Sequence, residues 1–181
     1  MTEKNHSTQS FVAKIINRLK DDTAFRAAMT RADNPSTEAQ AWRFLIELGN
    51  VDLKNDSERQ AFALVGAAMA RERTDGNGSQ SLGQALKMCK VDPTKEDESV
   101  ERRLSRILAC DSRKELIPIL RQILRYVQNN EKVSLDYERL LREILYFGER
   151  VKIQWAADYY SRSFDKNDEN QEEDPEGKEE D

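Results

Sequence analysis

In each segment between Phe11 and Trp155 outside the polar loops the apolar side chains return every three or four residues, and no stretch alternates apolar with polar long enough to make a strand. That period lines apolar groups along one side of an α-helix, so the chain can bury them only by packing helix on helix. Within FVAKIINRLK (11–20), Phe11, Val12, Ile15, Ile16 and Leu19 share one face, while Lys14 and Arg18 lie on another. A short helix around 22–31 follows, and DNPS (33–36) turns the chain. EAQAWRFLIELG (38–49) repeats the pattern and ends on Gly49, a residue suited to the position just past a helix. SERQAFALVGAAMARER (57–73) carries Ala61, Gly66, Ala67 and Ala68, small enough for other helices to approach closely. With seven glycines and four prolines in 181 residues, turn-rich β structure lacks its punctuation. The predicted fold class is all-α.

TDGNGSQ (74–80) interrupts the helices, and SLGQALKMC resumes with a brief one. VDPTKEDE (91–98), polar and holding Pro93, reads as a linker. Beyond it Val100, Leu104, Ile107 and Leu108 recur at core spacing, and Ser112 and Glu115 have the spacing of a capping box. Pro118 falls inside the next helix, where its missing N–H predicts a kink or a late start. SLDYERLLREILYFG (134–148) and ERVKIQWAADYYSRSF (149–164) complete the series. The organisation expected is two packed helical bundles, 11–90 and 99–164, joined by the linker 91–98. Trp42, Leu45, Leu104, Ile107, Leu108, Leu141, Ile144 and Trp155 are expected in the core.

Charge is unevenly placed. The chain carries a formal −5, yet residues 165–181, DKNDENQEEDPEGKEED, hold ten acidic and two basic side chains, a net −8. Residues 1–164 are therefore at +3. The segment 165–181 has no aliphatic or aromatic group to bury and is expected to form a disordered acidic tail.

Several classes of function are disfavoured. No apolar h-region follows MTEKNHSTQS, and the longest uncharged run, AFALVGAAMA (61–70), is about half of a membrane span. A cytoplasmic protein without membrane contact is expected. Cys89 and Cys110 lack a CxxC partner and read as reduced, half-buried thiols, with a disulfide between them as the alternative, and the sole histidine, His6, lies in a polar terminus. Histidine-based triads and zinc sites are thus disfavoured, and no cofactor is expected. DGNGSQSLG lacks both the Gly-Lys-Ser/Thr of a P-loop and the third glycine of GxGxxG, and reads as a flexible loop, the alternative being a helix N-terminus at Ser81 that receives one phosphate. Asp21–Asp22 and Asp97–Glu98 sit in polar turns, without the apolar surroundings that raise a carboxyl pKa for acid–base work. No catalytic constellation is present in the sequence, and the chain reads as a non-enzyme.

The arginines remain. Between 101 and 127, Arg102, Arg103, Arg106, Arg113, Lys114, Arg121 and Arg125 face only Glu101, Asp111 and Glu115. Arg102 and Arg106 are four apart, as are Arg121 and Arg125, and Arg139 and Arg142 lie three apart on the following helix. Rows at that spacing oppose the apolar stripe and face solvent or a partner. A guanidinium binds phosphate oxygens bidentately and stays charged, so nucleic acid suits such a row. A solvated face with local pairs such as Glu138–Arg142 and Glu143–Lys152 is the alternative.

The succession SLGQAL, a polar loop, ERRLSRILACDSRKELIPILRQIL and LDYERLLREILYFGERVKIQWAADYY resembles the CasB family, the small subunit of the type I-E CRISPR Cascade surveillance complex of antiviral defence. Ser81–Leu86, Arg103–Leu108 and Leu135–Arg150 carry the likeness, and FRAAMTRADNPSTEAQAW resembles the family's basic N-terminal helix and turn. The resemblance implies a two-bundle helical protein without enzymatic activity. Two copies would lie along the complex with the other Cascade subunits, holding crRNA and target DNA and stabilising the displaced strand of the R-loop. By position it implies contacts from Arg26, Arg31, Arg102, Arg103 and Arg121, and the helical rows add Arg106 and Arg125. Gln122 stands where the family often carries a second arginine, and Glu149 follows Gly148 where a basic residue is common. The competing reading is a helical protein–protein scaffold or adaptor without nucleic-acid contact. A helix-turn-helix regulator has less support, because no short exposed second helix carries base-reading polar residues.

Overall fold

Helix starts are set by the side chains that precede them. Asp22, Asn55, Ser81, Asp97, Ser112 and Asp136 each accept a hydrogen bond from a backbone N–H in the first turn that follows. Each such cap is worth about 1 kcal/mol. The computed structural model describes residues 2–92 and 95–161. It contains α1 (Thr2–Leu19), α2 (Thr23–Thr30), α3 (Trp42–Gly49), α4 (Asp56–Glu72), α5 (Leu82–Met88), α6 (Glu98–Leu108), α7 (Arg113–Gln128), α8 (Tyr137–Leu145) and α9 (Glu149–Tyr160). A 3-10 turn, Glu38–Ala41, leads into α3. Among the described residues there is no strand, only an isolated bridge between Gln80 and Leu135. The fold is all-α, as the apolar period predicts. The segment 165–181, expected to be disordered, lies outside the described residues.

α4 is the centre of the fold, packing against α1, α2, α3, α7 and α8. Its sequence explains how. Every residue from Ala61 to Ala70 is buried, and six of those ten are alanine or glycine, so neighbours can approach from all sides. A Cβ on Gly66 would lie 2.3 Å from the Met29 methyl, which measures how closely α2 crosses. Phe11 meets Phe62 edge-on at 4.8 Å, and Phe25 meets Phe44 at 4.9 Å. One continuous core joins these groups to Leu104, Leu120, Leu141 and Trp155.

Several expectations need correction. Trp42 is 39% exposed rather than buried. α3 begins at Trp42 itself, and its register turns Phe44, Leu45 and Leu48 inward while Trp42 and Ile46 face outward. Leu108 is only half-buried at the end of α6, whereas the other six predicted core residues are buried. Gly49 does not follow α3 but belongs to its last turn, because Asn50 takes the left-handed conformation at φ 50°. The glycine instead makes room for the Phe62 ring and Val51, each 3.0 Å from where a Cβ would stand. α1 begins at Thr2, well before Phe11. α7 begins at Arg113 and runs through Pro118 without a late start. Pro118 is exposed, so water can satisfy the carbonyl that its missing N–H leaves unpaired.

The glycine-rich loop is pinned, contrary to the flexible reading. Gly78 and Ser79 donate to the carbonyls of Leu135 and Ser134 at 2.9 and 3.1 Å, and Asp136 donates to the Gln80 carbonyl at 2.9 Å. The amides of residues 78–80 are therefore committed to residues 134–135. Ser81 and Gln84 close a full capping box at the start of α5. In contrast, Glu115 reaches past Ser112 to the Asp111 amide at 3.0 Å, so only half of the expected box forms there.

α5 lies against α9 and α6. A Cβ on Gly83 would stand 2.2 Å from the Trp155 carbonyl oxygen, so only glycine fits this approach. The Trp155 indole N–H donates to Glu143 at 2.6 Å, Glu143 accepts from Arg139 at 2.7 Å, and Arg139 also donates to Asp158 at 2.7 Å. Arg139 therefore does not face solvent with Arg142. It ties α8 to α9 inside the protein. Lys152 pairs with Asp111 at 3.6 Å and Glu149 at 3.8 Å rather than with Glu143.

Candidate nucleic-acid interface

α6 is strongly two-sided. Val100, Leu104 and Ile107 enter the core, which turns Arg102 and Arg106 outward with Arg103 at their edge. On the facing helix α7, Leu116, Leu120, Ile123 and Leu124 are buried, and Gln122 and Tyr126 rise beside α6. Between the two helices lies a surface cleft of about 410 Å³ lined by Ser99, Arg102, Arg103, Arg106, Gln122, Ile123 and Tyr126.

The three arginines of α6 are held differently. The Arg103 guanidinium stacks 3.9 Å from the Tyr126 ring centroid and donates to the Ser99 carbonyl at 2.7 Å, so it is positioned rather than free. Arg102 pairs with Glu98 at 2.7 Å, but the two side chains are 75% and 83% exposed. A pair so open to water contributes little and exchanges readily for another anion. Arg106 is exposed, with no carboxylate in ion-pair range among the described residues. Burial pushes the Tyr126 phenol up, while Arg103 over its ring pulls the other way.

Arg121 and Arg125 belong to a second assembly. Asp33 is buried in the turn after α2, and its Oδ2 lies 2.8 Å from Arg71 Nη1, 3.7 Å from Arg121 Nε and 3.6 Å from Arg125 Nη2. Three guanidiniums share one carboxylate, leaving an excess of two positive charges. Arg71 Nε and Nη2 and Arg121 Nε are buried without a hydrogen bond among the described residues. Arg125 remains 57% exposed and keeps a face for a ligand, whereas Arg121, at 25%, is largely structural.

The N-terminal arginines are placed less tightly. Arg31 ends α2 two residues before Asp33, is exposed, and reaches Gln40 only at 3.5 Å. Arg26 is half-buried on α2 and is not among the residues that line the cleft. Arg71, Asp33, Ser99 and Tyr126 escaped the sequence reading. A signal existed for Tyr126 alone, an aromatic beside Arg125 and one turn after Gln122.

Among the described residues no group of His, Cys, Asp or Glu could hold a metal ion. Cys89 and Cys110 are free, and burial pushes both thiols up, away from the reactive thiolate. Among the described residues no helix is long and apolar enough to cross a membrane.

Fold and cleft together define an all-helical protein with a concave, arginine-lined face. The chain belongs to the CRISPR-associated protein Cse2 family, whose sequence pattern matches residues 25–160. This is the family that the order of SLGQAL, the arginine-bearing helix and the terminal helices resembles. A Cse2-family CRISPR-associated protein from Thermus thermophilus is 28% identical, with a TM-score of 0.67, over 84% of this chain and 97% of its own. A structure described as CasB from Thermus thermophilus is 27% identical, with a TM-score of 0.63 and the same coverage of 84% and 97%. A chain of a CRISPR RNA-guided surveillance complex shares the fold at a TM-score of 0.70 and 22% identity, over 86% of this chain and 92% of its own. No curated protein matches the chain.

Proposed function

We propose that this chain is the non-catalytic small subunit of a type I-E CRISPR Cascade ribonucleoprotein, present beside the other Cascade subunits and a second copy of itself. It holds crRNA and target DNA by their backbones and stabilises the displaced strand of the R-loop. Membership of the Cse2 family and the likeness to a chain of a surveillance complex support the assembly. The observation that carries the nucleic-acid contact is the α6–α7 cleft. Its Arg106 is uncompensated, its Arg102 is paired only to an exposed Glu98, and its Arg103 is pre-positioned on Tyr126. R-loop formation is a near-balanced exchange of strands, so a few sequence-independent phosphate contacts are enough to tip it. Basic grooves with an aromatic wall also suit single strands.

The test is co-purification with a crRNA-containing assembly, followed by the salt dependence of single-strand affinity. A steep fall with salt supports the reading. Retention in the assembly with no salt-dependent affinity favours the scaffold reading instead. That reading draws on the outward Trp42 and Ile46 of α3 and the exposed Ile153 and Tyr160 of α9.

A further inference from the structure

The strongest anion in this protein is its own C-terminal segment. Residues 165–181 carry a net −8, and the family pattern stops at residue 160, before they begin. The described residues end at Ser161, whose carbonyl accepts from Lys87 Nζ. One residue before the end of α9, the Tyr159 ring lies under Lys90 Nζ at 4.8 Å. α9 packs on α6, and Lys90 follows Cys89, whose carbonyl accepts from the Tyr126 hydroxyl at 3.4 Å, at the aromatic wall of the cleft. The exit is thus beside the cleft rather than across the protein from it. Twenty residues follow Ser161, and a chain of that length reaches about 25 Å even as a random coil.

We propose that the arginine cleft between α6 and α7 is a docking surface for residues 165–181, which compete there with nucleic-acid phosphates. The proposal rests on the nucleic-acid reading of that cleft. Charge complementarity selects the occupant. Arg102 and Arg106 lie open and the segment holds ten carboxylates. The contact requires no fixed structure, because any of several carboxylates can meet any exposed guanidinium, and it is screened over about 8 Å at physiological salt. Tethering keeps a weak ligand at an effective concentration near the millimolar range. In the assembled complex, a long polyanion with many phosphates displaces it. The free subunit is thereby kept from stray nucleic acid.

The experiment uses the full chain with all ten acidic side chains of 165–181 converted to their amides, beside the unaltered protein. A fluorescent oligothymidine of roughly 20 nucleotides reports single-strand affinity, and a labelled peptide of sequence 165–181 reports docking. At low salt the amide variant is expected to bind the oligonucleotide roughly two- to tenfold more tightly, from millimolar tethering of a weak competitor. That difference is expected to vanish at about 0.5 M salt. Since ten removed charges also raise the attraction of the whole protein, the peptide decides. It should bind the amide variant, compete with the oligonucleotide, and lose affinity when Arg102→Ala, Arg103→Ala and Arg106→Ala are added.

Peptide binding that ignores the three arginines, or no peptide binding at all, overturns the docking proposal. Equal oligonucleotide affinity of the two proteins, with the arginine changes still weakening it, also overturns docking and leaves the nucleic-acid reading standing. Arginine-dependent peptide binding without any oligonucleotide binding overturns the nucleic-acid reading, and the competition with it.

Discussion

Asp33 Oδ2 accepts a hydrogen bond from Arg71 Nη1 at 2.8 Å, across the contact between the turn after α2 and the last turn of α4. The same carboxylate is the nearest anion to Arg121 and Arg125 on α7, so one small side chain holds three segments together. Breaking a buried pair by removing one partner is costly, because the other charge stays behind. Asp33→Ala leaves the largely buried guanidiniums of Arg71 and Arg121 without their carboxylate and is expected to lower unfolding stability by about 3 kcal/mol in urea titrations. Arg125→Ala, removing a side chain 57% exposed at 3.6 Å, is expected to change stability by under about 0.5 kcal/mol. Equal effects of the two would refute the central role of Asp33.

The cleft arginines give the opposite pattern. Combining Arg102→Ala, Arg103→Ala and Arg106→Ala should leave the fold intact, since these side chains lie on the outward side of α6. Single-strand affinity should fall regardless of sequence. The slope of log affinity against log salt should flatten by about 0.7 to 1 for each phosphate that the variant no longer binds. An unchanged slope in a folded variant would move the function toward the scaffold.

Gly83 tests the packing of α5 on α9. In an isolated helix Ala would gain about 1 kcal/mol over Gly. Here the new Cβ would fall 2.2 Å from the backbone oxygen of Trp155, which cannot rotate away. Gly83→Ala is therefore expected to destabilise by about 2–3 kcal/mol. It should also increase amide hydrogen exchange in α5 and α9 before α1 or α4.

Tyr159 couples the fold to alkaline pH. Its ring is buried, its hydroxyl has no hydrogen-bond partner among the described residues, and burial pushes the phenol up to about 12, with nearby Glu101 adding to the effect. An unfolded tyrosine titrates near pH ~10. The folded protein therefore holds this proton after the unfolded chain has released it. The stabilising contribution is full below about pH 10 and disappears by about pH 12, a loss of roughly 2–3 kcal/mol. Tyr137, raised by burial and by Glu72, acts in the same sense. Tyr159→Phe should flatten part of that fall, and at neutral pH it should stabilise by about 1 kcal/mol, because it deletes an unsatisfied hydroxyl. Unfolding curves at pH 8, 10 and 11.5 check both.

The helices were legible because each buries one side, and the three-to-four spacing records which side. Leu104 and Ile107 follow directly from that. The same logic misplaced Trp42, because the 3-10 turn before α3 shifts where the helix begins, and a repeat does not encode its own starting phase. It misjudged Arg139 for another reason: Asp158 and Glu143 draw it inward, and Asp158 lies on a different helix. The α6 half of the cleft could be read from sequence, since Arg102, Arg103 and Arg106 lie on one helix. The Asp33 assembly could not, because its members are distant in the chain and meet only through tertiary packing.

The pinning of residues 78–80 by 134–136, the packing of α5 on α9 and of α1 on α8 bear on how the chain is made. While the ribosome is still adding the last helices, α4 has an apolar surface on every side but lacks α7 and α8, and α5 has nothing to close over Gly83. At about 5–20 residues per second, that interval lasts several seconds. A nascent chain arrested before α8 should therefore be held by chaperones and cut readily by proteases. The packing of α5 and α6 against α9 can form only after Tyr159 has emerged.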